Sequence, residues 1–157
     1  MKTIQQTLTL LLIATLIFSC SEEEEPEVIV NETSVIPVTD LGRTNTLLGC
    51  VEITTRDTKI EVWDHGKIDN DIVSIIANGE TIINEQILDG PFNPIETNYN
   101  FDSNGFNYVT LYAHNLGDIA PNTCTIAING VEFILEANLD ANGSIDVIVG
   151  GFGVSCN

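Results

Sequence analysis

Apolar and polar residues alternate along this chain in short runs of about four to eight, and the runs return about every ten residues with turn residues between them. No segment sustains the three-to-four-residue spacing of an amphipathic helix. Asn-Gly between two such runs is the strongest local hairpin signal, because both residues accept the positive φ of a tight turn whose twist matches the strands. The sequence places it so three times: residues 72–77 return through 81–87 across Asn78-Gly79, 95–101 return through 106–113 across Asn104-Gly105, and 123–128 return through 131–136 across Asn129-Gly130. A fourth Asn142-Gly143 precedes an apolar run at 144–149, and earlier strands are expected at 51–53 and 59–63. The pattern predicts an all-β, antiparallel β-sandwich of about 7–9 short strands built from hairpins, with room for a short helix near 139–143. Cys124, Ile126 and Ile128 should share the core side of their strand.

The front of the chain does not belong to that pattern. Lys2 opens a segment that is apolar from Leu8 to Phe18 apart from Thr9 and Thr15, which suits the core of an export signal and falls short of the roughly 20 apolar residues of a membrane span. Ile17-Phe18-Ser19-Cys20 follows, and then Ser21 and the acidic run Glu22 to Glu25. This resembles a bacterial lipoprotein signal in which Cys20 carries the lipid. The acidic run behind it is similar to the surface-export signal of Bacteroidota lipoproteins. Like charges in a row repel and keep a segment extended and solvated. The expected organisation is a signal peptide at 1–19, a lipidated acidic tether at 20–45 and a β-sandwich at 46–157, with the protein held at the cell surface of the outer membrane.

Charge narrows the partners. Lys and Arg total 5 against 23 Asp and Glu, a formal charge of -18, so the basic footprint that phosphate backbones require is missing and nucleic acid is excluded. The acidity is not confined to the tether: from Thr46 onward 16 acids face 3 bases, or -13.

With Cys20 committed to lipid, Cys50, Cys124 and Cys156 remain. An exported chain favours one disulfide, and three pairings are possible. Cys50 and Cys156 sit at the two ends of the sandwich, and because domain termini tend to lie close together that pair is expected. Cys124 is then a small apolar core residue.

The densest polar segment is Trp63-Asp64-His65-Gly66-Lys67-Ile68-Asp69-Asn70-Asp71, between two predicted strands. Hard cations such as Ca²⁺ are bound by several carboxylate and carbonyl oxygens on a flexible loop, so Asp64, Asp69 and Asp71 are the candidate metal ligands. The offsets are not those of an EF-hand, and the alternative is a turn in which Asp and Asn bond their own backbone. A second segment, His114-Asn115-Leu116-Gly117-Asp118, either adds Asn115 or Asp118 to that site or forms a separate turn with Gly117 at positive φ. Trp63, Tyr99, Tyr108 and Tyr112 offer flat faces for a sugar platform. Neither histidine lies in a zinc-protease, nucleophile-elbow or phosphate-loop pattern, so no catalytic residue is assigned.

The strings Val62-Trp63-Asp64, Gly66, Asp69-Asn70-Asp71-Ile72-Val73-Ser74, Asn78-Gly79-Glu80, Leu111-Tyr112-Ala113-His114-Asn115-Leu116-Gly117 and Pro121-Asn122-Thr123 resemble a small module of secreted and surface proteins of flavobacteria and relatives, over roughly residues 58–150. Asn70 stands where that module would carry glycine. The resemblance implies an extracellular β-architecture and no particular activity. The chain therefore reads as a non-enzymatic, surface-anchored lipoprotein with a binding or adhesion role assisted by Ca²⁺. Its expected partners are the membrane, through the lipid, and a glycan or an envelope protein. The competing readings are a structural subunit of an envelope complex and a small hydrolase that uses the acidic loop residues.

Overall fold

The structure, a computed structural model, describes residues 34–156. The signal segment, Cys20 and the tether up to residue 33 lie outside the described residues. Among the described residues there are ten strands: β1 (Thr39–Asp40), β2 (Arg43–Ile53), β3 (Asp57–Asp64), β4 (Ile72–Ala77), β5 (Glu80–Ile87), β6 (Ile95–Asn100), β7 (Gly105–Ala113), β8 (Asn122–Ile128), β9 (Val131–Ala137) and β10 (Ala141–Val149). They form a six-stranded sheet in the order β1-β2-β10-β7-β4-β5 and a four-stranded sheet in the order β6-β3-β8-β9. The all-β sandwich is thus as expected, with more strands than the pattern suggested. All pairings are antiparallel except β2 with β10, the first and last long strands of the body. No helix occurs among the described residues, including at 139–143.

Two of the expected hairpins are present. Asn78-Gly79 joins β4 to β5 and Asn129-Gly130 joins β8 to β9, each with both residues at positive φ, the backbone a two-residue type I′ turn requires. A third hairpin, β1 to β2, turns on Leu41-Gly42 with φ of 46° and 81°. It was hidden because Leu is rare in that conformation.

One expected Asn-Gly hairpin is corrected, and the fourth Asn-Gly falls inside a strand. Asn104-Gly105 does not close a hairpin: β6 and β7 lie in different sheets, and the link crosses the sandwich beside the fully buried Phe101. Gly105, with φ 74°, supplies the bend there without the pairing. Asn142-Gly143 is not a turn at all; it lies within β10, in register with Asn45 and Thr46. A Cβ on Gly143 would fall 2.5 Å from the Glu136 carbonyl oxygen, so glycine is needed there for the close approach of β9. The true β9–β10 turn is built by Asn138, whose Oδ1 accepts the amides of Asp140 and Ala141, both at 2.7 Å.

The body also starts before Thr46. β1 and the first residues of β2 precede that point, and the Ser34 hydroxyl donates to Asp146 Oδ1 on β10 at 2.7 Å. Between the sheets the core is aliphatic: Ile60 and Val62 from β3, Ile75 from β4, Leu111 from β7, Ile126 and Ile128 from β8, and Ile145 and Val147 from β10 are fully buried. Burying one such side chain contributes about 1.5–3 kcal/mol. Cys50 and Cys156 are bonded, with Cα atoms 5.6 Å apart and a sequence separation of 106. Cys124 is a free thiol buried in the core, where loss of hydration pushes its ionisation well above the ordinary thiol range, with Asp71 and Asp64 adding to the effect.

A candidate cation site at one end of the sandwich

Strand alternation places Asp64 on the same side of β3 as Ile60 and Val62, so the strand ends with a carboxylate entering the edge of the core. The chain then turns through Gly66 and Asn70, at φ 91° and 68°, and returns as β4. Asn70 occupies the left-handed region that asparagine tolerates better than most side chains, which accounts for its standing where glycine is expected. The turn folds Asp69 and Asp71 back beside Asp64. All three residues are buried, and one carboxylate oxygen from each lies within 4.8 Å of the others.

Each carboxylate is fixed by a backbone amide. Asp64 Oδ2 accepts from the Asp69 amide at 3.2 Å, Asp69 Oδ2 from the Ile119 amide at 2.7 Å, and Asp71 Oδ2 from the Thr123 amide at 3.0 Å. Asp71 Oδ1 is buried with no hydrogen-bond partner. The residue behind Thr123 shows a similar lack, since Asn122 is fully buried and its Oδ1 has no donor.

The 114–121 segment closes the site. Gly117, at φ 60°, brings its backbone so close that a Cβ there would lie 2.5 Å from Asp71 Oδ1 and 2.7 Å from Asp69 Oδ2. Asn115 brackets the two loops: its Oδ1 accepts the Ile72 amide at 2.7 Å and its Nδ2 donates to the Asn70 carbonyl at 2.8 Å. The side-chain oxygen of Asn115 is thereby engaged, and Asp118 is exposed with its carboxylate 3.4 Å from Asn70 Nδ2. Neither belongs to the triad, yet the segment does meet the first loop. The 88–94 connection joins as well, because the Leu88 amide donates to the Asp71 carbonyl and the Asp64 amide to the Asp89 carbonyl.

The electrostatics of this arrangement are unbalanced. Two unit charges 4.8 Å apart repel by about 3–4 kcal/mol at an effective dielectric of about 20, and three such pairs exist here. Among the described residues no Lys, Arg or His pairs with any of the three acids; the ion pairs present are those of Lys59 with Glu61 and Glu96. Burial, with the charges of Asp69 and Asp64 adding and the Thr123 amide opposing, pushes the Asp71 carboxyl up to about 6. Burial also raises Asp64, against the pull of the Asp69 amide. At about 6 the Asp71 carboxyl still ionises below neutral pH, so its burial does not by itself keep it protonated there.

The remaining candidates are dispersed. Trp63 and Tyr99 lie on β3 and β6 of the smaller sheet, and Tyr108 and Tyr112 on β7 of the larger one, so they share no platform. His65 Nδ1 meets Thr125 Oγ1 at 3.0 Å. His114 Nε2 meets Ser74 Oγ at 2.8 Å, and that buried hydroxyl also accepts the Glu85 amide. Gly117, the Thr123 amide and Asn122 are site elements that residue spacing did not disclose; the positive φ expected at Gly117 was the available signal for the first. No protein-family model, no curated protein and no solved structure matches this chain.

Proposed function

We propose that this chain is a surface-anchored, non-catalytic lipoprotein, tethered through Cys20, whose sandwich is a calcium-assisted binding module. The observation that carries the reading is the buried Asp64, Asp69 and Asp71 triad with an orphaned Asp71 Oδ1 and, among the described residues, no salt-bridged Lys, Arg or His. Burying an uncompensated charge is costly unless a cation or proton neutralises it. Three oxygens at the 4.8 Å limit lie about 2.8 Å from a common centre, a few tenths of an ångström beyond a Ca–O distance of about 2.3–2.6 Å, so a small inward closure lets one calcium ion touch all three carboxylates. Carbonyl oxygens of the same loops and water would complete its shell.

The Ser74–His114 contact favours a non-catalytic reading over a hydrolase. Ser74 is 2 % exposed, its hydroxyl already holds a backbone amide, and no carboxylate hydrogen-bonds His114 among the described residues. A nucleophile needs an open face and an oriented base.

The test is calorimetric titration of the full chain with Ca²⁺, paired with thermal unfolding in Ca²⁺ and in EGTA. Saturable binding of one ion, with a Kd at or below about 1 mM as for extracellular modules, and a higher melting temperature are expected. Absence of both removes the cation. Mass spectrometry of Cys20 tests the anchor separately.

A further inference from the structure

The sandwich has two ends, and its exposed apolar residues are distributed unequally between them. Five connections gather at the end that holds the acidic triad: the β1–β2 turn and the segments 65–71, 88–94, 114–121 and 138–140. Each presents one large apolar side chain to solvent, namely Leu41 at 59 %, Ile68 at 54 %, Phe92 at 102 %, Ile119 at 52 % and Leu139 at 50 % exposure. At the opposite end the exposed large apolar residues among those described are Phe152 and Val131, the latter directly after the Asn129-Gly130 turn, and the Phe152 ring has the Arg56 guanidinium 5.8 Å from its centroid. Scattered single exposures are ordinary, whereas a concentration at one place marks an interaction surface.

The five tips are held as one unit. The triad ties 65–71 to 114–121 through the Ile119 amide on Asp69, and Ile68 packs over Gly90, its Cδ1 3.1 Å from where a Cβ would stand. On the other side Arg43, next to the β1–β2 turn, donates to the Asn138 carbonyl at 3.0 Å and to the Ala113 carbonyl, joining the remaining two connections to the end of β7.

We infer that this end docks on the interface of a phospholipid bilayer, the tips of Leu41, Ile68, Phe92, Ile119 and Leu139 entering the headgroup layer while the cation holds the loops that carry three of them. The inference rests on the tethered, cation-binding reading above. Separate apolar tips on five loops suit a soft, deformable layer, which receives amphipathic protein surfaces by burying apolar area among the headgroups. The tether supplies the opportunity. Residues 20–33 are 14 in number and reach at most roughly 50 Å when extended, more than the roughly 36 Å of an 11-residue strand such as β2. An anchored body can therefore turn this end towards its own membrane. Charge chooses the lipid: a chain of -18 is repelled by an anionic leaflet, so zwitterionic headgroups are the fitting surface.

The experiment places the full chain, held by its N-terminal segment, in phosphatidylcholine vesicles, with Phe92→Trp introduced in a Trp63→Phe background as the single reporter. In roughly 1 mM Ca²⁺ the emission should be blue-shifted and quenched at least about twofold by dibrominated phosphatidylcholine. Adding Ile68→Ser and Ile119→Ser should remove most of that quenching while the calcium-dependent rise in melting temperature persists. Water-like, unquenched emission in protein whose melting temperature still responds to Ca²⁺ would overturn the lipid contact and leave the cation site standing. A blue shift without quenching would mean that a second copy or another protein covers the tips, and would equally overturn it. If Ca²⁺ has no thermal effect, the cation reading fails by itself; quenching that is the same in EGTA would then keep the docking surface and remove the cation from it.

Discussion

Replacing Asp71 by Asn should invert the order of stability between chelator and calcium. The carboxyl of Asp71 is pushed up to about 6 from an ordinary 3.8, which at neutral pH corresponds to a ceiling of about 3 kcal/mol of destabilisation. Screening at this end of the sandwich reduces the realistic figure to about 1–2 kcal/mol. Asparagine keeps an oxygen for the Thr123 amide and removes one of three mutually repelling charges. In EGTA the variant should therefore melt about 4–8 °C above the parent, at about 4 °C per kcal/mol for a body of this size. In calcium at 100 times its Kd the parent gains about 2.7 kcal/mol, whereas a variant bound a hundredfold more weakly gains about 0.4 kcal/mol, and the parent becomes the more stable. Differential scanning calorimetry of both proteins in EGTA and in Ca²⁺ reads all four values. A variant less stable than the parent in EGTA would show that the Asp71 charge is compensated within the fold. Equal calcium gains would show that Asp71 is not a ligand.

The other expectations probe the same end and the rest of the frame. Gly117→Ala combines a positive φ with a Cβ 2.5 Å from Asp71 Oδ1, and should cost about 2–4 kcal/mol and abolish the thermal response to calcium; a variant that melts and binds normally would show that the 114–121 backbone is not tight against the triad. For pH, the folded Asp71 binds its proton more tightly than the unfolded chain does, as does Asp64. The stabilising contribution of protonated Asp71 is thus present near pH 4 and below and lost as pH rises through about 6, and Asp64 acts in the same direction. In EGTA the advantage of Asp71→Asn over the parent should accordingly be small near pH 4 and full above pH 6, and an advantage independent of pH would contradict the assignment. Cys156→Ser opens the loop that the Cys50–Cys156 bond closes and should lower unfolding free energy by up to about 5 kcal/mol in denaturant titrations; a parent unchanged by dithiothreitol would contradict this.

What the sequence disclosed of the candidate site was its ligand chemistry. Three carboxylates within eight residues around a glycine, between two strands, must lie at one end of a sandwich. The approach of the 114–121 segment was left open, because strand periodicity says which residues share a face and nothing about which loops meet across two sheets. Asn115 shows the difference: sequence offered it as a metal ligand, and the fold uses its amide as a bracket between Ile72 and Asn70.

By itself the sequence determined the class of fold, the two Asn-Gly hairpins and the inward face of β8, because these depend on interactions between near neighbours in the chain: alternation with a period of two, and residues that accept positive φ. Tertiary structure decided the rest. It sent the Asn104-Gly105 link between sheets, absorbed Asn142-Gly143 into β10, where only glycine fits against Glu136, paired β2 in parallel with the last strand, and brought an amide from Ile119 to the carboxylate of Asp69. Those outcomes depend on packing between segments tens of residues apart, and a local pattern carries no record of such distances.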